Sequence, residues 1–242
     1  FIIFSQEIIF EKYGIEIQKQ LINCGFKVKK IILVDGESAK SLSSLDNIYS
    51  QLIEYGCSRE STLIALGGGV IGDITGFIAA TFMRGIKYIQ IPTTLLAMVD
   101  SSIGGKTGVN TSHGKNLVGS IYQPVAVIID PTFLQTLPSR EIISGMGEVI
   151  KYSLILDPKL FELLSQNINS IINLSSQEII EKVIVRCAQS KVNIIIEDEF
   201  ENDKRRILNF GHTIGHALEA YFNFDKLRHG EAVAYGMFAA AK

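Results

Sequence analysis

Short apolar runs alternate with amphipathic stretches along the first half of the chain. KKIILVD (29–35), STLIAL (61–66), KYIQIPTT (87–94) and VAVIIDP (125–131) are rich in β-branched and aliphatic residues and end at turn-forming positions. That is the pattern of strands buried on both faces. Between the first two, ESAKSLSSLDNIYSQLIEYG (37–56) spaces Leu42, Leu45, Ile48, Leu52 and Ile53 as a helix would. Strand, helix and strand in that order predict a parallel sheet with its sites at the carboxyl ends of the strands. Beyond Pro138 the period turns helical, and KLFELLSQNINSIINL (159–174) and EIIEKVIVRCAQSKVNII (178–195) are long amphipathic segments. The expected fold class is an α/β N-terminal domain, Rossmann-like, over residues 1–135, followed by an all-α C-terminal domain over 136–242.

Composition narrows the partners. A length of 242 residues suits one large or two smaller domains, and 47% apolar against 20% charged residues supports a packed core. The formal net charge of −2 argues against a polyanion-coating protein, so no nucleic-acid partner is expected. Cys24, Cys57 and Cys187 are odd in number and far apart, which suits neither a disulfide framework nor a thiolate zinc cluster and points to a reducing, cytoplasmic compartment. No run approaches the roughly 18 apolar residues of a membrane span. FIIFSQEIIF at the start is broken by Gln6 and Glu7 and lacks the basic region of a signal peptide. With no initiator Met and an apolar end at AVAYGMFAAAK, the chain reads as an incomplete protein lacking a first strand and later helices.

Four segments carry candidate chemistry. LGGGVIGD (66–73) sets Gly67, Gly69 and Gly72 in a G-x-G-x-x-G pattern between a strand and a helix, where backbone can approach a pyrophosphate. The acid expected about 20 residues later is missing; Asp100 is the nearest downstream, Glu37 lies upstream, and a plain tight turn is the alternative. MVDSSIGGKTGVN (98–110) and HGKNLVG (113–119) read as loop-like, with glycines beside Lys106 and Lys115 forming an anion cradle or else a solvated loop, and His113 a surface residue. LNFGHTIGHALEA (208–220) places His212 and His216 on one helix face, a spacing able to hold a metal. Thr213 stands where a zinc protease has its glutamate, so protease chemistry is disfavoured, while His229, Glu219 and Glu231 nearby favour a metal or catalytic site. GMGEVIKY (145–152) puts Glu148 and Lys151 three apart, either a surface ion pair or, given Gly145 and Gly147, a group closely approached by something bulky or charged.

DGESAK, GGGVIGD, IPTTLLAMVDSSIGGKTGVN, HGKNLVG, FLQTLPSRE, GMGEVIKY, LNFGHTIGHALE and RHGEAVAYGM, in that order and across nearly the whole chain, resemble the 3-dehydroquinate synthases, a family of sugar phosphate cyclases. The resemblance implies an NAD- and metal-dependent lyase of two domains. It implies zinc, with cobalt as a substitute, on Glu148, His212 and His229, and leaves His216 beside the metal, whereas spacing alone pairs His212 with His216. It implies an NAD site from Asp35, Gly36, Glu37 and Lys40 at the adenosine end and Gly68, Gly69, Val70, Ile71, Gly72 and Asp73 at the pyrophosphate. Thr93, Thr94, Lys106, Lys115, Phe133, Leu134, Gln135 and Thr136 line the rest. Asp100, Lys106, Asn116, Lys151, Lys191, Arg205 and Asn209 would hold the sugar phosphate, and Arg84 would reach the phosphate of a neighbouring subunit, implying a homodimer. The implied reaction converts 3-deoxy-D-arabino-heptulosonate 7-phosphate to 3-dehydroquinate and phosphate through transient oxidation, elimination, re-reduction and aldol closure. Ser5 stands where the family usually has an acid, which weakens one cofactor contact. A cyclase making inososes or valiolones, a dehydrogenase of the glycerol or iron-alcohol type, and a non-catalytic nucleotide-binding relic are the alternatives.

Overall fold

The structure, a computed structural model, describes residues 1–222 and 226–242. The chain forms two compact units: Phe1–Thr93 with Gly105–Asp130, and Thr94–Gly104 with Pro131–Lys242.

The first unit is built on a parallel sheet of β1 (Ile2–Gln6), β2 (Lys29–Leu33), β3 (Thr62–Gly67), β4 (Lys87–Pro92) and β7 (Ala126–Val127), in the order β2-β1-β3-β4-β7. The opening residues, to which the sequence pattern assigns no element, form an interior strand: Phe4 pairs with Ile31 on one side and Ala65 on the other. Ile3 and Phe4 are fully buried, so this greasy run is sheet core. The strand read at 125–131 shrinks to the two residues of β7 on the sheet edge, hemmed by Pro124 and Pro131, which cannot donate to a ladder. After β1 the chain winds through α1 (Glu7–Ile9), a π-turn at Phe10–Gly14 and α2 (Ile15–Asn23).

In α3 (Leu42–Glu54) the Ser41 hydroxyl caps the first turn by accepting the Ser43 N–H, and Leu45, Ile48 and Leu52 face the core. Leu42 and Ile53, on the same apolar count, face solvent. α4 (Gly69–Thr81) is buried along most of its length, because the sheet covers one side and a hairpin, β5 (Lys106–Thr111) with β6 (Gly114–Ile121), the other. That hairpin replaces the second part, from Lys106 on, of the stretch expected to be loop over 98–119. Its glycines let two backbones approach: a Cβ at Gly119 would stand 2.2 Å from the Thr107 carbonyl oxygen.

The second unit holds α5 (Ser139–Ile155), α6 (Pro158–Ile172), α7 (Gln177–Glu197), α8 (His212–Tyr221) and α9 (His229–Ala240), with 3-10 turns at Pro131–Thr136 and Lys204–Asn209. Residues 94–104, expected with the sheet, belong to this unit: their π-turn at Ala97–Ser101 packs on α5 and α7 and buries Met98 and Val99. Glycine sets how closely the helices cross. A Cβ at Gly147 of α5 would lie 2.2 Å from the Gly230 carbonyl oxygen of α9, and one at Gly236 of α9 only 1.9 Å from that of Gly211. Among the described residues, no helix is long and apolar enough to cross a membrane.

Candidate active site

In the first unit the DGESAK loop, the start of α4 and the β5–β6 hairpin converge on one ammonium. Lys40 is 3% exposed; its Nζ donates to Asp73 Oδ2 at 2.6 Å and to Asn116 Oδ1, with Glu37 Oε1 at 3.7 Å. Glu37 is steadied by Asn110 Nδ2 at 2.9 Å and faces Lys115 Nζ at 3.9 Å. Asn110 also accepts the N–H of Asn116, whose φ of +55° is left-handed, and donates its own N–H to the Lys40 carbonyl. Gly36, also left-handed at φ +85°, makes the turn that brings the loop back. Asp35 is held by Gln6. Gly68 caps α4 without a side-chain bond, and the first intrahelical bond runs from the Gly72 N–H to the Gly68 carbonyl. The helix N-terminus therefore offers the Gly69, Val70 and Ile71 N–H groups to an anion, with Asp73 just beyond the first turn bound to Lys40. Thr93 is buried and its N–H bonds the Gly67 carbonyl, joining the ends of β3 and β4. Asp73, Lys106 and Asn116 line an open pocket of about 370 Å³.

Other expected positions lie elsewhere. Thr94, Phe133, Leu134, Gln135 and Thr136 belong to the second unit, with Phe133 and Leu134 buried and Thr94 Oγ1 accepting the Ala97 N–H. Arg84 sits exposed in the turn after α4, at φ +66°.

In the second unit, α5, α8 and α9 bring Glu148, His212, His216 and His229 together. Glu148 is completely buried, with Oε1 3.4 Å from His212 Nε2 and 3.6 Å from His229 Nε2. The ligating atoms of the three imidazoles lie within 4.8 Å of one another, although His216 is 61% exposed. The close crossing at Gly147 and Gly230 produces this meeting, because each glycine adjoins a site residue, Glu148 or His229. The glycines beside Glu148 therefore accommodate helix backbone, and at Gly145 the Leu95–Leu96 chain, rather than a bulky ligand.

The pair Glu148–Lys151, three apart on α5, is an ion pair in the core, not on the surface. Neither Glu148 oxygen accepts a well-formed hydrogen bond. A buried carboxylate so placed, facing two imidazole nitrogens, suits a divalent cation held by two nitrogens and one oxygen. Burial and the Asp100 charge push the Glu148 carboxyl up, yet His229, Lys151 and His212 outweigh them and hold it below its ordinary value. Burial lowers His212 to about 4, keeping its ring neutral. Burial opposes charge on His229 as well, but Glu148 and Glu219 raise it to about 9.

Beside this cluster Lys191 Nζ donates to the Asp100 carbonyl at 2.7 Å and to Oδ1 at 2.9 Å. Tyr152 donates its hydroxyl to the same Oδ1 at 2.5 Å. Burial works against the Asp100 charge, but Lys191 and Lys151 hold the carboxyl far below its ordinary range, while burial lowers Lys191. Arg205 is buried, its guanidinium fixed by the carbonyls of Glu199 and Gly104, the latter at 2.9 Å. Asn209 donates to Glu201 at 2.6 Å. Sequence reasoning missed Tyr152, which reads as an ordinary core aromatic, and the bridging part of Asn110 in the lysine cluster. Glu219 was legible only as an acid near histidines, though it shares the α8 face of His212 and His216, seven residues after the first and three after the second.

The chain resembles known proteins along both halves. Residues 30–144 match a family model described as 3-dehydroquinate synthase N-terminal, and residues 145–242 its C-terminal counterpart. A 3-dehydroquinate synthase from Rippkaea orientalis is 50% identical over 246 residues, covering all of this chain and 66% of the relative. The chain thus spans about two thirds of the length of the curated relatives it matches. A solved 2-deoxy-scyllo-inosose synthase, complexed with carbaglucose-6-phosphate, NAD+ and Co2+, is 35% identical with a TM-score of 0.92 over 99% of this chain and 66% of its own. The valiolone synthase ValA from Streptomyces hygroscopicus, with NAD+ and Zn2+ bound, is 32% identical with a TM-score of 0.88 over 98% of this chain and 66% of its own. A parallel sheet with a glycine-capped helix, a helical unit with a buried carboxylate between imidazoles, and matches along both halves lead to one assignment: this chain belongs to the 3-dehydroquinate synthase family.

Proposed function

We propose that the protein converts 3-deoxy-D-arabino-heptulosonate 7-phosphate to 3-dehydroquinate and phosphate, using NAD+ and a divalent cation. The observation that carries this reading is the fully buried Glu148, facing His212 and His229 and flanked by the Lys151, Asp100 and Lys191 charges, in a chain 50% identical to named synthases. Glu148, His212 and His229 would hold zinc, or cobalt in its place, with His216 beside it. Glu37, Lys40 and the α4 N-terminus would hold the nucleotide. When bound, the cation would acidify a substrate hydroxyl and the nicotinamide would take up and return its hydride.

The remaining work belongs to the protein's own groups. Lys151 and Lys191 are buried ammoniums that stabilise the negative charge developing on substrate oxygens, and Asp100 fixes where Lys191 points. Arg205, pinned from two carbonyls, presents a rigid fork suited to phosphate. Asn209, Lys106 and Asn116 supply further polar contacts to the sugar phosphate. The net change is loss of phosphate from the substrate with no net oxidation. We assign Arg84 to the phosphate of a second copy in a homodimer, and the three free cysteines suit a reducing cytoplasm.

The second reading is a sibling cyclase, favoured by the two solved relatives named above but at lower identity. Incubation with NAD+, zinc and each sugar phosphate decides between them. The proposal expects inorganic phosphate from the heptulosonate phosphate with no accumulation of NADH. Preference for sedoheptulose 7-phosphate would move the assignment to the sibling, and steady growth of NADH would move it to a dehydrogenase.

A further inference from the structure

Glu219 lies on α8, is 8% exposed, and belongs to no step described so far. Its Oε2 stands 3.3 Å from His229 Nδ1 and 4.0 Å from His216 Nε2. Nδ1 and Nε2 sit on opposite edges of an imidazole, and His229 turns Nε2 toward Glu148 at 3.6 Å. The two carboxylates therefore flank one ring, so Glu219 cannot reach the ion that Glu148 would share. His212 repeats the arrangement: Nδ1 meets the Phe210 carbonyl at 3.3 Å while Nε2 faces Glu148 at 3.4 Å. Each ring is thus anchored at Nδ1, His212 by a neutral carbonyl and His229 by a carboxylate, and turns Nε2 toward Glu148.

We infer that Glu219 is a positioning residue of the metal centre, fixing the tautomer and ring plane of His229 so that Nε2 is presented for coordination. This rests on the reading that Glu148, His212 and His229 hold a cation. Its chemistry is that of a carboxylate bonded behind a ligating histidine, which raises ligand basicity and removes ring rotation. A purely structural Glu219 would affect the stability of the helices without changing the ion's ligand field.

The test titrates Co2+ into the protein and into Glu219→Ala and Glu219→Gln, following the visible d–d absorption and measuring Zn2+ affinity by chelator competition, with thermal melting recorded alongside. The inference expects Glu219→Ala to lose on the order of 10–100-fold in metal affinity and to change the cobalt spectrum. Glu219→Gln, whose amide oxygen still accepts from Nδ1–H, keeps the fold and loses less. Equal affinity and an identical spectrum in both variants, with the parent binding one equivalent, would overturn the role of Glu219 alone. A parent that binds no equivalent would overturn the metal reading and this inference with it.

Discussion

Replacing Gly147 by alanine sets two effects against each other. In an isolated helix the change stabilises, since glycine costs about 1 kcal/mol relative to alanine in a helix interior. In this structure the new Cβ would fall 2.2 Å from the Gly230 carbonyl oxygen, 2.7 Å from its carbon and 2.8 Å from its Cα. All three are backbone atoms that no side-chain rotation can remove. Restoring an ordinary contact of roughly 3.4 Å requires α9 to retreat from α5 by about 1 Å, an overpacking of the kind that costs roughly 1–3 kcal/mol. Taking the upper end, because the obstacle is backbone, the net loss is about 2 kcal/mol, or a fall of about 4–8 °C in melting temperature for a chain of this size. The same retreat carries His229 away from Glu148, now 3.6 Å apart at Nε2 and Oε1, and metal ligands tolerate only about 0.2 Å. Co2+ titration should therefore show at least about tenfold weaker binding. A variant that melts higher than its parent and binds cobalt equally would refute the claim that glycine contact positions the centre.

Other substitutions test other parts. Tyr152→Phe removes the hydroxyl that Asp100 accepts; a loss of about 1.5–3 kcal/mol in urea denaturation is expected, and an unchanged midpoint would contradict it. Lys40→Met should weaken NADH binding at least about tenfold, roughly 1.4 kcal/mol, in a fluorescence titration; equal affinity would remove Lys40 from the nucleotide site. Asp157 caps α6 and pairs with Arg186 at 2.6 Å; burial raises its carboxyl, but the Arg186 and Leu160 bonds prevail and hold it below its ordinary value. A carboxyl lowered on folding stabilises above its unfolded pKa of roughly 3.9 and loses that contribution as pH falls through the folded value. The stability gap between the parent and Asp157→Asn should thus be full at pH 7 and shrink below about pH 4; a gap independent of pH would contradict the pairing.

The strand–helix texture was legible because its periods are strong. The runs around Ile31, Leu63 and Tyr88 became strands, and the stretch after Pro138 became helices. What failed did so for physical reasons. Ile2–Gln6 has no preceding turn signal to mark it as a strand, and glycines at 108, 114 and 119 dilute the β pattern of the hairpin while serving its close backbone approach. Within the site, the i, i+4 spacing exposes His212 with His216, a contact confined to α8. The approach of Glu148 to His212 and His229 comes from three helices meeting, and no local period encodes that. Glycine at 145 and 147 signalled closeness, but only the packing of α5 against α9 and the Leu95–Leu96 chain shows that the close partner is protein.

The most direct measurement is zinc-edge X-ray absorption on the metal-loaded protein, compared with Glu148→Ala. The account predicts two imidazole nitrogens and a carboxylate oxygen around zinc, with the oxygen shell altered in the variant. A first shell of three imidazoles, unchanged when Glu148 is removed, would place the ion on His212, His216 and His229 and contradict it.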